Sequence, residues 1–200
     1  MAVLIKKMTM CIGMKANKAL IGNLMILLAD RCKPLYHTKL LKLLFLIDEE
    51  SVKRTATPMT WLNYKAWQLG PVNEDVFFSK WEGCNKFDQY VHFDFVDEKR
   101  CIVKPVAEFD GGGFCELDRE IIDSVLSKYG RKSSEELVEI LHGEESLWSK
   151  AVKEHALAFS ATNKTSDVDI DFSDMLKDEL QKTVYFSTLE NLETELFLNQ

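Results

Sequence analysis

The stretch TKLLKLLFLIDEESVK, Thr38–Lys53, decides how the rest of the chain must fold. Thr38 reads as a helix cap. Behind it Leu40, Leu41, Leu43, Leu44, Phe45, Leu46 and Ile47 put apolar groups nearly all round a helix, leaving Lys39, Lys42, Glu49 and Lys53 as its polar stripe. A helix that is apolar on most of its circumference belongs in the middle of a core, so the neighbouring segments have to supply its walls.

Upstream, Asn17 caps an amphipathic helix with Leu20, Ile21, Leu24, Leu27 and Leu28 at helical spacing, and Pro34 closes it. Downstream, a loop from Thr55 to Thr60 precedes Trp61 to Trp67. Gly70-Pro71-Val72 then makes a tight turn into a short helix from about Glu74 to Glu82, ended by Gly83. One strand pair stands out: Tyr90 to Val96 and Cys101 to Val106, joined by the charged turn Asp97-Glu98-Lys99-Arg100, with Pro105 placing the second strand at an edge or bulge. Gly111-Gly112-Gly113 is a flexible joint. Asp118 caps a helix that buries Ile121, Ile122, Val125 and Leu126 and stops at Gly130. Ser133 and Glu136 are spaced as a capping box for a helix burying Leu137, Ile140 and Leu141, and Leu147 to Phe159 reads as one more helix. From Ser160 to Asp171 the chain is polar and aperiodic, a linker; Ser173 to Leu198 is helix-compatible, acidic, and in need of a surface to bury its apolar residues.

The expected architecture is therefore mainly α (α+β): a compact helical domain with one β-hairpin, plus an acidic C-terminal helix. Its divisions are an N-terminal extension (1–16), a domain (17–159) and an acidic linker with a C-terminal helix (160–200). At 200 residues, 46% of them hydrophobic and 28% charged, the chain can bury a core without metals or disulfides. The net charge of -7 and a pI near 5.2 argue against nucleic acid as the partner of the whole surface. Charge is nonetheless uneven. Residues 1–54 carry ten basic and four acidic side chains, whereas 166–200 carry two basic and nine acidic. A basic front and an acidic tail can meet each other or engage oppositely charged partners.

Cys11, Cys32, Cys84, Cys101 and Cys115 are odd in number and never spaced as C-x-x-C, which fits a reducing, cytoplasmic setting and no zinc knuckle. The apolar run Leu20 to Ala29 is broken by Gly22 and Asn23 and lacks a small-residue cleavage site, so it reads as a folded helix; no run is long enough to span a membrane. The common hydrolase, dinucleotide, phosphate-loop and zincin signatures are missing, and the triple glycine lacks a following lysine. His37, His92, His142 and His155 show no metal spacing. Asp167-x-Asp169-x-Asp171 begins like a calcium loop but has Phe172 where glycine is required. Cys84, Cys101 and Cys115 have no nucleophile context and read as core filler. No catalytic residue, metal site or cofactor is expected. Two helices before a strand pair could sketch a winged helix with Lys39, Lys42 and Lys53 on phosphates, although Glu49 and Glu50 share that face.

Lys42-Leu43-Leu44-Phe45, then Ala66-Trp67-Gln68-Leu69-Gly70-Pro71-Val72 and Val76-Phe77, resemble the Panacea domain of SocA-like antitoxins of bacteria and phages. The second half extends the likeness: Asp118 to Gly130 (DREIIDSVLSKYG), Ser133 to Leu137 (SSEEL), Ile140-Leu141-His142, and Leu147-Trp148-Ser149-Lys150-Ala151 keep that family's order, over roughly Asn17 to Phe159. The resemblance implies a noncatalytic antitoxin that binds a cognate toxin, usually encoded by an adjacent gene, in a toxin–antitoxin system of a bacterium or prophage. One branch implies a proteolytic adaptor delivering the toxin to a Clp-type protease. Some members carry a DNA-binding domain for operon control; the roughly sixteen residues before the first helix are too few for one, and a DNA-binding regulator of its own operon is the rival reading.

The motif residues also have a plain physical reading. Trp67, Gly70, Pro71 and Val72 are architectural, a tight turn with a tryptophan anchor. Trp148 reads as a core anchor and His142 as a cap for helix-end carbonyls, with partner contact the alternative for both. Tyr64, Gln68 and the hairpin, with Tyr90 and His92, are the stronger candidates for toxin contact.

Overall fold

The computed structural model describes residues 11–198. The long helix expected to be capped by Thr38 is capped two residues earlier: α3 (His37–Thr55) has Tyr36 at its N-cap, and its interior residues Leu40, Leu43, Leu44 and Ile47 are completely enclosed. Its polar stripe is only partly a stripe, because Lys39 and Lys42 are buried as well. The segment before it forms two helices, α1 (Ile12–Ala16) and α2 (Lys18–Arg31), with Asn17 between them. The expected extension over 1–16 thus ends in helix, and residues 1–10 lie outside the described part.

Two small sheets wall the central helix. In the first, β1 (Leu35–Tyr36), β4 (Val91–Phe95) and β5 (Cys101–Pro105) are antiparallel in the order β1-β5-β4, with Leu35 and Phe93 both opposite Val103. The expected hairpin is therefore present, but the strand ending in Pro105 is the middle one. Proline is tolerated there because β1 pairs only with Ile102 and Val103, so the missing N–H at 105 interrupts nothing on that side. In the second, β2 (Lys65–Trp67) and β3 (Gly70–Val72) form a hairpin too short to show period-2 alternation in sequence.

After α4 (Glu74–Phe78), capped by Asn73 Oδ1 accepting from Val76 N–H, and the first sheet, three helices complete the wall. They are α5 (Glu116–Tyr129), α6 (Ser134–Leu141) and α7 (Leu147–Glu154). Asp118 stabilises the start of α5 from its third position, accepting the Cys115 backbone N–H at 2.9 Å, rather than from the cap itself. The Ser133–Glu136 capping box forms as spaced, with Glu136 Oε2 accepting from Ser133 N–H and Ser133 Oγ from Glu136 N–H. α7 stops short of Phe159, where Ala156 turns left-handed (φ 48°).

The acidic end is no free linker. Residues 164–170 run alongside β2: Ala66 N–H donates to Val168 O and Ile170 N–H to Tyr64 O, while Lys65 bridges Asp169. A backbone-paired strand of this kind requires no apolar periodicity, which is why the sequence looks like a linker. A 3-10 turn, Phe172–Met175, then inserts Phe172 beside Phe45 and Tyr64. The last helix, α8 (Glu179–Leu198), rests on α1 and, through Tyr185, on Trp61 of the loop that follows α3. Among the described residues no helix is long and apolar enough to cross a membrane.

Candidate functional site

The residues that set this sequence apart meet at one place, the tip of the β2–β3 hairpin. Gly70 turns there with φ +96°, a left-handed conformation that side chains resist. A Cβ on it would lie 3.3 Å from Lys42 Nζ and 3.8 Å from His142 Nε2. Lys42, 1% exposed, donates from Nζ to Pro71 O at 2.8 Å, so α3 holds the returning strand from beneath. Burial pulls its pKa down to about 7. On the other side Trp148 of α7 donates Nε1–H to Trp67 O at 2.8 Å and stacks on His142 with centroids 3.8 Å apart and planes 13° from parallel. Trp67 meets Phe77 of α4 edge-on at 4.8 Å and donates its indole N–H to Ser166 O. Lysine, tryptophan and phenylalanine from three helices thus grip the hairpin at Trp67, Gly70 and Pro71.

His142 does not cap carbonyls with its ring. Its main-chain carbonyl accepts from Ser149 Oγ, whereas Nε2 is buried with no hydrogen-bond partner. Burial, and then the nearby Lys42 charge, lower its pKa. Because the stack on Trp148 requires no proton, the neutral imidazole is the form this pocket favours.

A second polar cluster braces the chain leading into the hairpin. Asp48, 0% exposed, accepts from Thr60 N–H (2.7 Å), Thr60 Oγ–H (2.5 Å) and Tyr64 Oη–H (2.8 Å). Burial raises its pKa to about 6 against the pull of those hydrogen bonds. Sequence reasoning missed Asp48 because a lone carboxylate at the end of an apolar run looks like the solvated edge of the helix.

The contact candidates scatter. Tyr64 lies in the core at 1% exposure, its ring edge-on to Phe45 and its hydroxyl held by Asp48, so it has no surface to offer a partner; it is a strut. Trp148 is buried for the reason given above, and Val72, Gly70 and Pro71 are enclosed. Gln68 is half-buried, its N–H bound to Lys164 O. Tyr90 is half-buried and lies across Gly22 so closely that a Cβ there would meet its ring at 2.4 Å. His92 is exposed on β4, 3.1 Å from Asp94, whose pKa is lowered chiefly by Lys104. Surface that sequence reasoning did not single out includes Leu69, 58% exposed at the hairpin tip, and the neighbouring Phe78 and Trp81.

Other chemistry is thinly represented. An open groove of about 1100 Å³ runs past Leu69, Lys80, Lys99 and Arg131, but several of its cations are already matched: Arg31 with Asp123, Arg100 with Asp97, Lys132 with Glu136. Lys39, Lys42 and Lys53 do not form a phosphate-facing row, because they bind Gly130 O, Pro71 O and Glu49 respectively. Cys84 and Cys115 are exposed rather than core filler, and the other three thiols have pKa values raised mainly by burial. Among the described residues no group of three or more His, Cys, Asp or Glu side chains is gathered as a metal ion would need.

The grip on the hairpin tip is testable. Gly70→Ala should cost about 2 kcal/mol through its forced left-handed backbone and the crowding of Lys42. A lowered urea midpoint at unchanged slope would register that cost, and an unchanged midpoint would mean that the tip relaxes freely.

No curated protein and no solved structure matches the chain. The family model for the SocA-like antitoxin, Panacea domain, matches residues 40–149, from the first turn of α3 into α7, and so spans every hairpin-gripping residue described above. The chain therefore belongs to the SocA-like antitoxins of the Panacea domain family.

Proposed function

We propose that this protein neutralises a cognate toxin, the product of a neighbouring gene, by stoichiometric binding rather than by any reaction of its own. The observation that carries the reading is the match over residues 40–149 together with what its most distinctive side chains do. Lys42, Trp67, His142 and Trp148 are occupied with one another and with the hairpin backbone. Such an arrangement presents a rigid surface, as expected of a binder that covers the working face of its target over an interface of roughly 1,600 Å². Delivery of the captured toxin to a Clp-type protease is a further step that this same binding would permit. Operator binding loses its physical support, since the lysines proposed for phosphates are buried or paired.

Coexpression tests this. Induction of the neighbouring gene alone should arrest growth, coexpression should restore it, and a complex of fixed stoichiometry should copurify. Continued arrest with no complex would overturn the reading, as would rescue by substoichiometric amounts of the chain.

A further inference from the structure

α8 is apolar on more sides than the described residues of the body cover. At about 100° per residue, Tyr185, Leu189, Leu192 and Leu196 form one stripe, and this is the stripe turned to the body, with Tyr185 buried and the others half-buried. The rest of the circumference is not the polar face such a helix should show to water. Leu180, Val184 and Leu198 project along one flank and Phe186 and Phe197 along the other, at exposures that reach 51% for Phe186 and 77% for Phe197. Between the flanks stand Thr183, Ser187 and Thr194, short side chains that let another backbone come close. A helix with apolar residues on opposed sides is built to be enclosed, and the body encloses only one of them.

Charge identifies what would cover the other. The helix carries Glu179, Glu190, Glu193 and Glu195 against the single Lys182, and Lys182 is already paired with Glu179. Apolar flanks set among carboxylates fit a groove with apolar walls and a basic rim. The helix also lies wholly outside the matched span, residues 40–149. A scaffold common to a family cannot by itself tell one toxin from another, so selectivity has to come from segments such as this one.

We propose that the outer half of α8 is the toxin-docking element, seated in a basic, apolar-walled groove of the toxin with Phe186 and Phe197 as its anchors. This rests on the toxin-binding reading above. Docking would complete the enclosure of the helix, and the carboxylates would speed the encounter and make it sensitive to salt.

The test uses the full chain and the neighbouring gene's product. Phe186→Ala with Phe197→Ala, both at exposed positions, should leave the thermal midpoint within a few degrees and weaken binding at least about 30-fold, losing growth rescue. Glu190→Lys with Glu195→Lys should slow association and flatten its salt dependence. If the wild type binds and both double variants bind equally well, the docking element lies elsewhere and the antitoxin reading stands. If the wild type neither binds nor rescues, that reading falls and this proposal with it. A concentration-dependent dimer of the isolated chain that the phenylalanine variant dissolves would give the face to a second copy and also overturn the proposal.

Discussion

A chain ended after residue 163 should be largely unfolded at 25 °C, although every residue of the family-matched span would still be present. Removal of the tail uncovers the places where Ile170, Phe172, Leu176 and Tyr185 are buried. At about 1.5–3 kcal/mol for each large apolar side chain, the loss is roughly 6–12 kcal/mol, comparable with the whole stability of a domain of this size. The exposed sites are themselves apolar: Phe172 stacks on Phe45 at 5.2 Å and meets Tyr64 edge-on at 5.8 Å. The β2 edge would also lose the hydrogen bonds from Ala66 and Gln68 N–H to Val168 and Lys164 O, and Trp67 would lose its indole acceptor, Ser166 O.

Graded variants separate the strand and turn from the helix. Phe172→Ala in the full chain should cost about 3–5 kcal/mol. A chain ended after residue 176 keeps the strand and the 3-10 turn and removes α8, in which Tyr185 is the one buried residue, and should lose far less. Urea unfolding followed by tryptophan fluorescence measures all three. A chain of 163 residues that unfolds cooperatively at the wild-type midpoint would show that residues 164–176 merely lie on a domain that folds without them.

That segment also shows where the fold was legible in sequence and where it was not. α3, the Ser133–Glu136 cap and the β4–β5 hairpin could be read because each is a local pattern: an apolar circumference, a four-residue box, alternation with a charged turn. The β2 edge could not, since the pairing of Ala66 with Val168 joins residues a hundred positions apart through backbone atoms that every residue has. The site divides in the same way. Trp67, Gly70 and Pro71 were recognisable as a turn with an anchor. That Lys42 lies under this turn, and not in the polar stripe of α3, depends on the angle at which the hairpin crosses the helix, and no spacing records that angle. The Tyr64 hydroxyl is held by Asp48, sixteen positions earlier, and no sequence spacing marks the two as partners.

Stability should rise by about 2–3 kcal/mol between pH 7 and pH 9, and Lys42→Met should remove that rise. Lys42 titrates near pH 7 when folded and near 10.5 when exposed, so between those values the unfolded chain binds a proton that the native chain does not. The stabilisation is complete above pH 10.5 and is lost as pH falls through 7. At 1.36 kcal/mol per pH unit, two units give the rise. It should level off above about pH 9, because Cys11, Cys32, Cys101 and Tyr185 have pKa values raised mainly by desolvation and contribute with the opposite sign, losing their share as pH climbs past their unfolded values. The acid limb contains a cancellation. His37, enclosed with Nε2 on Val76 O, is lowered to about 4, so its contribution is lost as pH falls from 6.5 towards 4. Asp48, raised to about 6, loses its contribution as pH rises from 3.8 towards 6. The two slopes oppose each other over almost the same interval, so between pH 4 and 6 the wild type should lose little beyond the share that His142, also lowered by burial, contributes. Asp48→Asn removes one of them and should uncover a loss of stability on acidification that centres near pH 5. Thermal midpoints across pH 4–9 for the wild type and the two variants decide the matter: a wild-type curve without the rise above pH 7, or an Asp48→Asn curve as flat as the wild type in acid, would mean that these buried groups exchange protons with water as freely as exposed ones.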